Sequence, residues 1–186
     1  IASCLVGSEM CIRDRLFGIV QPDVAYFGQK DAQQVLVVRR VVRDLDLDVR
    51  VVACPIVREA DGLAMSSRNV YLDADARAQA TALNRALDAA DAAHRSGERD
   101  GDSILSSAHA VLSAAGIDAE YLELRDAETL RPVAVVDRDA LLLVAARVGA
   151  ARLIDNHLLT LTSTSSTTST ASTTETSTTT DGKGDA

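Results

Sequence analysis

VAYFGQKDAQQVLVVRRVVRDLDLDVRVVACPIV (Val24–Val57) is the stretch on which the fold turns. Val24-Ala-Tyr-Phe27 is a short apolar run closed by Gly28, the pattern of a buried strand. From Asp31 to Leu45 the residues Val35, Val38, Val42 and Leu45 recur at spacings of three and four, which predicts a helix with one buried face. Asp48–Val57 is again β-branched and apolar and predicts a second strand. Strand, helix and strand in this order form a parallel βαβ unit, since parallel neighbours need a crossover connection. Such units take ligands beyond the carboxyl ends of their strands. The loops after Phe27 and after Val57 are therefore where chemistry is expected.

Downstream, Asp73 is a plausible N-cap for one long Ala-rich helix reaching about Arg95, with Ala76, Ala80, Leu83, Leu87 and Ala90 as its apolar stripe and Ser96-Gly97 as its stop. A second helix is predicted from about Asp102 to Ala115, ended by Gly116. Three strands follow, Ala119–Leu124, Ala140–Ala146 and Arg152–Leu158. Helices followed by strands imply a small α+β domain beside the βαβ unit.

The first loop, Phe27-Gly-Gln-Lys-Asp-Ala-Gln-Gln34, joins a strand end to a helix start. Gly28 allows close approach of a ligand to the backbone, the helix N-terminus offers free N–H groups, and Lys30 adds a positive charge, a combination suited to phosphate. Asp31 either caps the helix or meets a ribose or a metal, and the whole turn also reads as ordinary helix punctuation. Gln33 and Gln34 are adjacent and do not share a helix face, so at most one points into a site. In the second loop, Arg58–Asn69, Asp61-Gly62 signals a tight turn, and Met65-Ser66-Ser67-Arg68 groups two hydroxyls with a guanidinium. Hydroxyls and a planar guanidinium fork suit triphosphate oxygens, whereas the alternative is a Ser-rich cap with Arg68 solvated or paired to a nearby carboxylate.

Composition bounds the partners. The 186 residues carry a formal charge of −8 with 3% aromatics and no Trp, which argues against a nucleic-acid or anionic-membrane surface. No apolar run approaches the roughly 20 residues of a membrane span. Cys4, Cys11 and Cys54 make an odd set without a CxxC pair, so neither a disulfide framework nor a zinc site is expected, and a cytoplasmic setting is simplest. The chain opens on Ile1 rather than Met, as a fragment would. Residues 1–15 show no period and resemble translated adaptor sequence more than a natural leader. From Thr160 to Thr180 every residue except Leu161, Ala171 and Glu175 is Ser or Thr, and residues 160–186 are expected to form a disordered tail.

FGQKDAQQ and VREADGLAMSSRNVYL, one strand–helix–strand apart, resemble the pantothenate synthetase (pantoate–β-alanine ligase) family. LFGIVQPDVAYFG ahead of them, and YLELRD, LLLVAARVG and RLIDN after them, extend the likeness in the same order from Leu16 to about Leu159. The resemblance implies a truncated Rossmann-like nucleotidylyltransferase domain (16–57) and a small α+β C-terminal lid domain (58–159) that includes the MSSR loop, a counterpart of the KMSKS loop of class I tRNA synthetases. The implied reaction is ATP-dependent condensation of pantoate with β-alanine through a pantoyl adenylate, with Mg²⁺ accompanying ATP and a homodimer as the assembly.

Carried onto this chain, the likeness places ATP at Gly28, Gln29, Lys30, Asp31, Val57, Met65, Ser66, Ser67 and Arg68, and pantoate at Gln34. Lys30, Ser66, Ser67 and Arg68 are the implied catalytic set, and no metal-ligating residues are assigned. Family members commonly have Glu at the Gln29 position, and Val57 matches a backbone contact to adenine. The family's N-terminal half carries a HIGH-like segment with catalytic histidines, whereas His94, His109 and His157 lack such neighbours and are expected to be structural or on the surface. The fragment is therefore expected to be inactive by itself. The alternatives are an inert or oligomerising stub of the enzyme, and another adenylate-forming ligase of the same superfamily.

Overall fold

The computed structural model describes residues 9–161, with side chains from Arg15 onward. The Ser/Thr tail from 162 and the first eight residues of the leader lie outside the described residues.

The βαβ unit forms as its periodicity requires. β1 (Val24–Gly28) and β2 (Arg50–Cys54) pair in parallel from Val24↔Arg50 to Gly28↔Cys54. Between them a short 3₁₀ turn (Gln29–Asp31) leads into α2 (Ala32–Asp44), whose buried residues are Ala32, Val35 and Val38. Leu45, expected on the buried stripe, is 58% exposed because the helix ends one residue before it. β2 is shorter than the Asp48–Val57 run suggested: Pro55 has no N–H for the ladder, so pairing ends at Cys54. Residues 9–15, which show no period, belong to a helix, α1 (Glu9–Val20). Its anchor is Phe17, buried with its ring edge-on to Phe27 of β1 at 6.5 Å between centroids.

The predicted long helix is two helices, α3 (Ala74–Ala80) and α4 (Ala82–Arg95). They part at Thr81, whose hydroxyl donates back to the Ala78 carbonyl at 2.7 Å, a local bond that competes with regular helix. Asp73 caps α3 as expected, its carboxylate accepting from the Ala76 N–H at 2.8 Å. α5 (Gly101–Ala114) is capped in the same way by Asp100 through the Ser103 N–H, and Gly116 beyond its end takes a φ of +67°.

β3 (Ala119–Asp126), β4 (Ala140–Val148) and β5 (Ala151–Leu159) form an antiparallel sheet in that order, leaving β5 at an edge. One face of the sheet packs on α4 and α5 through residues such as Leu142, Val144 and Leu153 against Leu83, Leu87, Ile104 and Leu112. The opposite face meets α2, with Leu141 and Leu143 clustered with Ala32 and Leu36. Coverage on both faces explains why β4 is apolar almost without alternation and is buried everywhere except Arg147.

Candidate nucleotide-binding site

The first loop closes β1 and faces β5. Gly28 is extended (φ −70°, ψ 129°), and a Cβ built there would meet nothing within 4 Å among the described residues. Asp31 precedes α2 without a side-chain capping bond, which removes the capping role considered for it and leaves its carboxylate exposed. Gln33 is exposed and Gln34 half-buried, as their one-residue offset requires. Lys30, Asp31, Gln33 and Gln34 line a cavity of about 160 Å³ whose far wall includes Tyr121, Asp155 and Asn156. That volume is below the roughly 300–1,000 Å³ of whole small-molecule sites, so the cavity by itself is smaller than such a site. A wider cleft of about 770 Å³ runs from Gln29 along α2 to Asp126 and Arg138 and shares Ala32 with the smaller cavity, although Lys30 does not line it.

The second loop is a tight hairpin followed by a capped turn. Glu59 N–H donates to the Leu63 carbonyl at 2.8 Å, Gly62 turns with φ +87°, and Met65 N–H returns to the Val57 carbonyl at 2.9 Å. The Val57 carbonyl is thus engaged within the hairpin, while its side chain is exposed. Ser66 Oγ accepts from Arg68 N–H at 3.2 Å and caps the 3₁₀ turn Ser67–Tyr71. Met65, Ser67 and Arg68 are exposed, and Arg68 forms no ion pair among the described residues. The cap and the solvated guanidinium that composition alone allowed are both present, and they leave the Arg68 side chain uncommitted.

Charge braces this loop from behind. Arg77 of α3 bonds both Glu59 and Asp61, and Asn69 donates to Glu59 at 2.6 Å. The Asn69 amide, then the Arg77 guanidinium, hold the Glu59 carboxyl below its ordinary value. The Leu63 N–H, aided by Arg77, does the same for Asp61, and the two carboxylates raise Arg77. Across the sheet edge, Arg58 makes a two-point bond to Asp155 at 2.6 and 3.2 Å and donates to the Gly62 carbonyl.

Asn156 Nδ2 donates to the carbonyls of Gln29 and Lys30, each at 2.9 Å. Asp155, Asn156, Arg58, Glu59, Asn69 and Arg77 were not among the residues expected to serve the site. The signal for the β5 pair was legible: Asp-Asn in the middle of the apolar strand ARLIDNHLL demands a partner for each buried polar group. His94 is buried and bonded to the Thr160 carbonyl, His109 is exposed, and His157 Nε2 lies 3.5 Å from Asp91 of α4. Among the described residues, no group of three His, Cys, Asp or Glu side chains is placed to hold a metal, and no helix is long and apolar enough to cross a membrane.

The model of the family described as pantoate-beta-alanine ligase matches residues 10–158, a match that begins ahead of Leu16. The chain belongs to this family. The pantothenate synthetase of Acidobacterium capsulatum is 57% identical over 146 residues, covering 78% of this chain and 49% of that protein. The crystal structure of pantothenate synthetase from Thermus thermophilus superposes with a TM-score of 0.76 at 46% identity, covering 79% of this chain and 53% of that one. The pantoate-beta-alanine ligase of Francisella tularensis, complexed with beta-gamma ATP and beta-alanine, matches with a TM-score of 0.57 at 26% identity, over 80% of this chain and 48% of that one. The chain thus spans about half the length of the pantoate-beta-alanine ligase family members it matches, and its α/β fold is that of the family.

Proposed function

We propose that this chain supplies the ATP-phosphate side of a pantothenate synthetase, in the cytoplasm and as part of a homodimer. In the proposed reaction a pantoate carboxylate oxygen attacks the α-phosphorus of ATP. The bond to the bridging oxygen breaks, and pyrophosphate leaves with its electron pair. The β-alanine amine then attacks the acyl carbon of pantoyl adenylate, loses a proton and expels AMP, which yields pantothenate. An unactivated carboxylate is a poor acyl donor, and adenylation provides the leaving group.

Negative charge grows on the oxygens around the α- and β-phosphorus as pyrophosphate departs, and the main task of the protein is to stabilise it. Lys30 and Arg68 are the cations assigned to this, with Ser66 and Ser67 as hydroxyl donors and Gly28 leaving room for the ligand beside the main chain. Met65 and Gln29 line the ATP, Val57 offers backbone to the adenine, and Gln34 binds pantoate. Mg²⁺ is commonly held by one or two carboxylates together with substrate phosphates. The single exposed carboxylate of Asp31 fits that arrangement, and the ion would neutralise triphosphate charge.

The observation that carries the reading is that Lys30, Asp31 and Gln34 share one cavity wall, with the Asp31 carboxylate free of any capping bond. Titration of the 186-residue chain with MgATP tests it: saturable binding is expected, reduced at least about tenfold by Lys30→Ala, the scale of one lost charge-assisted hydrogen bond. Equal affinity in that variant would remove Lys30 from the site. A second reading, that this polypeptide alone is catalytically inert, draws on the placement of His94, His109 and His157. Pantothenate formation by the isolated chain from pantoate, β-alanine and MgATP would reject it.

A further inference from the structure

We propose that Asp155 and Asn156 are positioning residues: this one dipeptide on edge strand β5 holds both phosphate-facing loops in place. The proposal rests on the nucleotide reading above and adds to it the groups that set the loops. Neighbouring side chains on a strand point to opposite faces. Asp155 shares its face with Leu153, packed in the α4–α5 core, and with His157, which faces Asp91 of α4. Asn156 shares the other face with Leu158, which lines the cleft along α2. Two loops on opposite sides of the sheet can therefore be gripped from adjacent positions, Arg58 and its hairpin by Asp155, Gln29 and Lys30 by Asn156.

Asn156 directs its amide group at two consecutive main-chain carbonyls of the turn that carries Lys30. Fixing both carbonyls fixes the path of the backbone, while Lys30 keeps its side chain available to the cavity. Among the described residues the arrangement leaves Asn156 Oδ1 buried without a partner. A strand position serving packing alone would favour an apolar side chain, which leaves no acceptor unmatched. The second loop repeats the pattern: Asn69 donates to Glu59 and to the Ala64 carbonyl, and its Oδ1 is likewise buried without a partner among the described residues. Asp155 also accepts from Asn156 N–H at 2.8 Å, a bond within the dipeptide that steadies the Asp155 carboxylate.

The test pairs amide hydrogen exchange of the nucleotide-free chain with MgATP titration, using Asn156→Ala, Asn156→Ser and Asp155→Asn. Asn156→Ala is expected to raise exchange about tenfold across Lys30–Gln34 with little change across Glu59–Asn69, and Asn156→Ser, keeping one donor, to fall between. Asp155→Asn is expected to give the converse pattern, and each substitution to weaken MgATP binding about tenfold. Exchange raised uniformly over both loops and β4 would mark a merely structural role and overturn the proposal, as would unchanged exchange and affinity. Absence of MgATP binding by the unsubstituted chain would instead refute the nucleotide reading, and the loop-selective exchange pattern would then decide the grip by itself.

Discussion

Arg58 and Asp155 meet across 97 positions of chain in a two-point ion pair, and the Asp155 side chain is only 2% exposed against 24% for Arg58. Removing the guanidinium leaves a carboxylate buried without its counter-charge. Arg58→Ala is expected to destabilise the fold by roughly 3–5 kcal/mol, the usual consequence of breaking a buried pair from one side. Urea unfolding measures it. A loss under about 1 kcal/mol would mean that water replaces Arg58 at no great cost.

Acid should weaken the second loop before alkali does. Glu59 and Asp61 are held below their ordinary values of 4.5 and 3.8, Glu59 mainly by the Asn69 amide and Asp61 mainly by the Leu63 N–H, with Arg77 assisting both. A carboxyl whose folded pKa is depressed adds stability that is complete above its unfolded pKa and disappears as pH falls through the folded one. Tm is therefore expected to be level from about pH 8 to pH 5.5 and to fall from about pH 4.5 downward. Glu59→Gln combined with Asp61→Asn should flatten part of that fall. A profile that drops mainly between about pH 5 and 7 would point to a histidine instead.

Arg68 separates binding from folding. Its side chain is exposed and outside any ion pair among the described residues. Arg68→Ala is expected to leave stability within about 0.5 kcal/mol of the parent chain. The same substitution should weaken MgATP binding at least about tenfold. Thermal melts beside a calorimetric titration read both. Unchanged ATP affinity would take Arg68 out of the phosphate site.

Gly101 opens α5 where no side chain fits. A Cβ there would lie 2.9 Å from the carbonyl oxygens of both Val133 and Ala134, and Gly101 N–H donates to that same Ala134 carbonyl at 2.7 Å. The obstacles are main chain and cannot rotate aside, so Gly101→Ala is expected to cost about 1–3 kcal/mol despite the better helix propensity of Ala. Denaturant melts would show this as a lower midpoint. A neutral or stabilising result would mean that the 133–134 segment shifts freely.

Core volume is equally exposed to test. Leu142 of β4 is fully buried among the α4–α5 side chains. Leu142→Ala should destabilise by about 2–5 kcal/mol through lost burial and the cavity left behind. Retention of the parent midpoint would indicate that the sheet collapses around the gap.

Much of the architecture is legible in local pattern. The spacing of Val35 and Val38, the cap at Asp73, and the turn signals at Gly62 and Gly116 each act through neighbours a few residues away. The misreadings have local causes of another kind. Thr81 looks like one more helical residue until its hydroxyl bonds Ala78, and Val57 looks like strand although Pro55 has already ended the ladder. α1 lacks a clear period because among its described side chains one residue, Phe17, is buried.

The site divides along the same line. FGQKD and MSSR hold residue types suited to phosphate, since glycine, lysine, hydroxyls and a guanidinium carry their chemistry wherever they are placed, while the same stretches also read as helix punctuation and a Ser-rich cap. Nothing local says how two loops more than twenty residues apart are held. That is decided by β5, over a hundred residues downstream of the first loop, where Asp155 meets Arg58 and Asn156 meets the carbonyls of Gln29 and Lys30. Buried polar groups must find partners, and which partners they find depends on which strands the sheet brings to its edge.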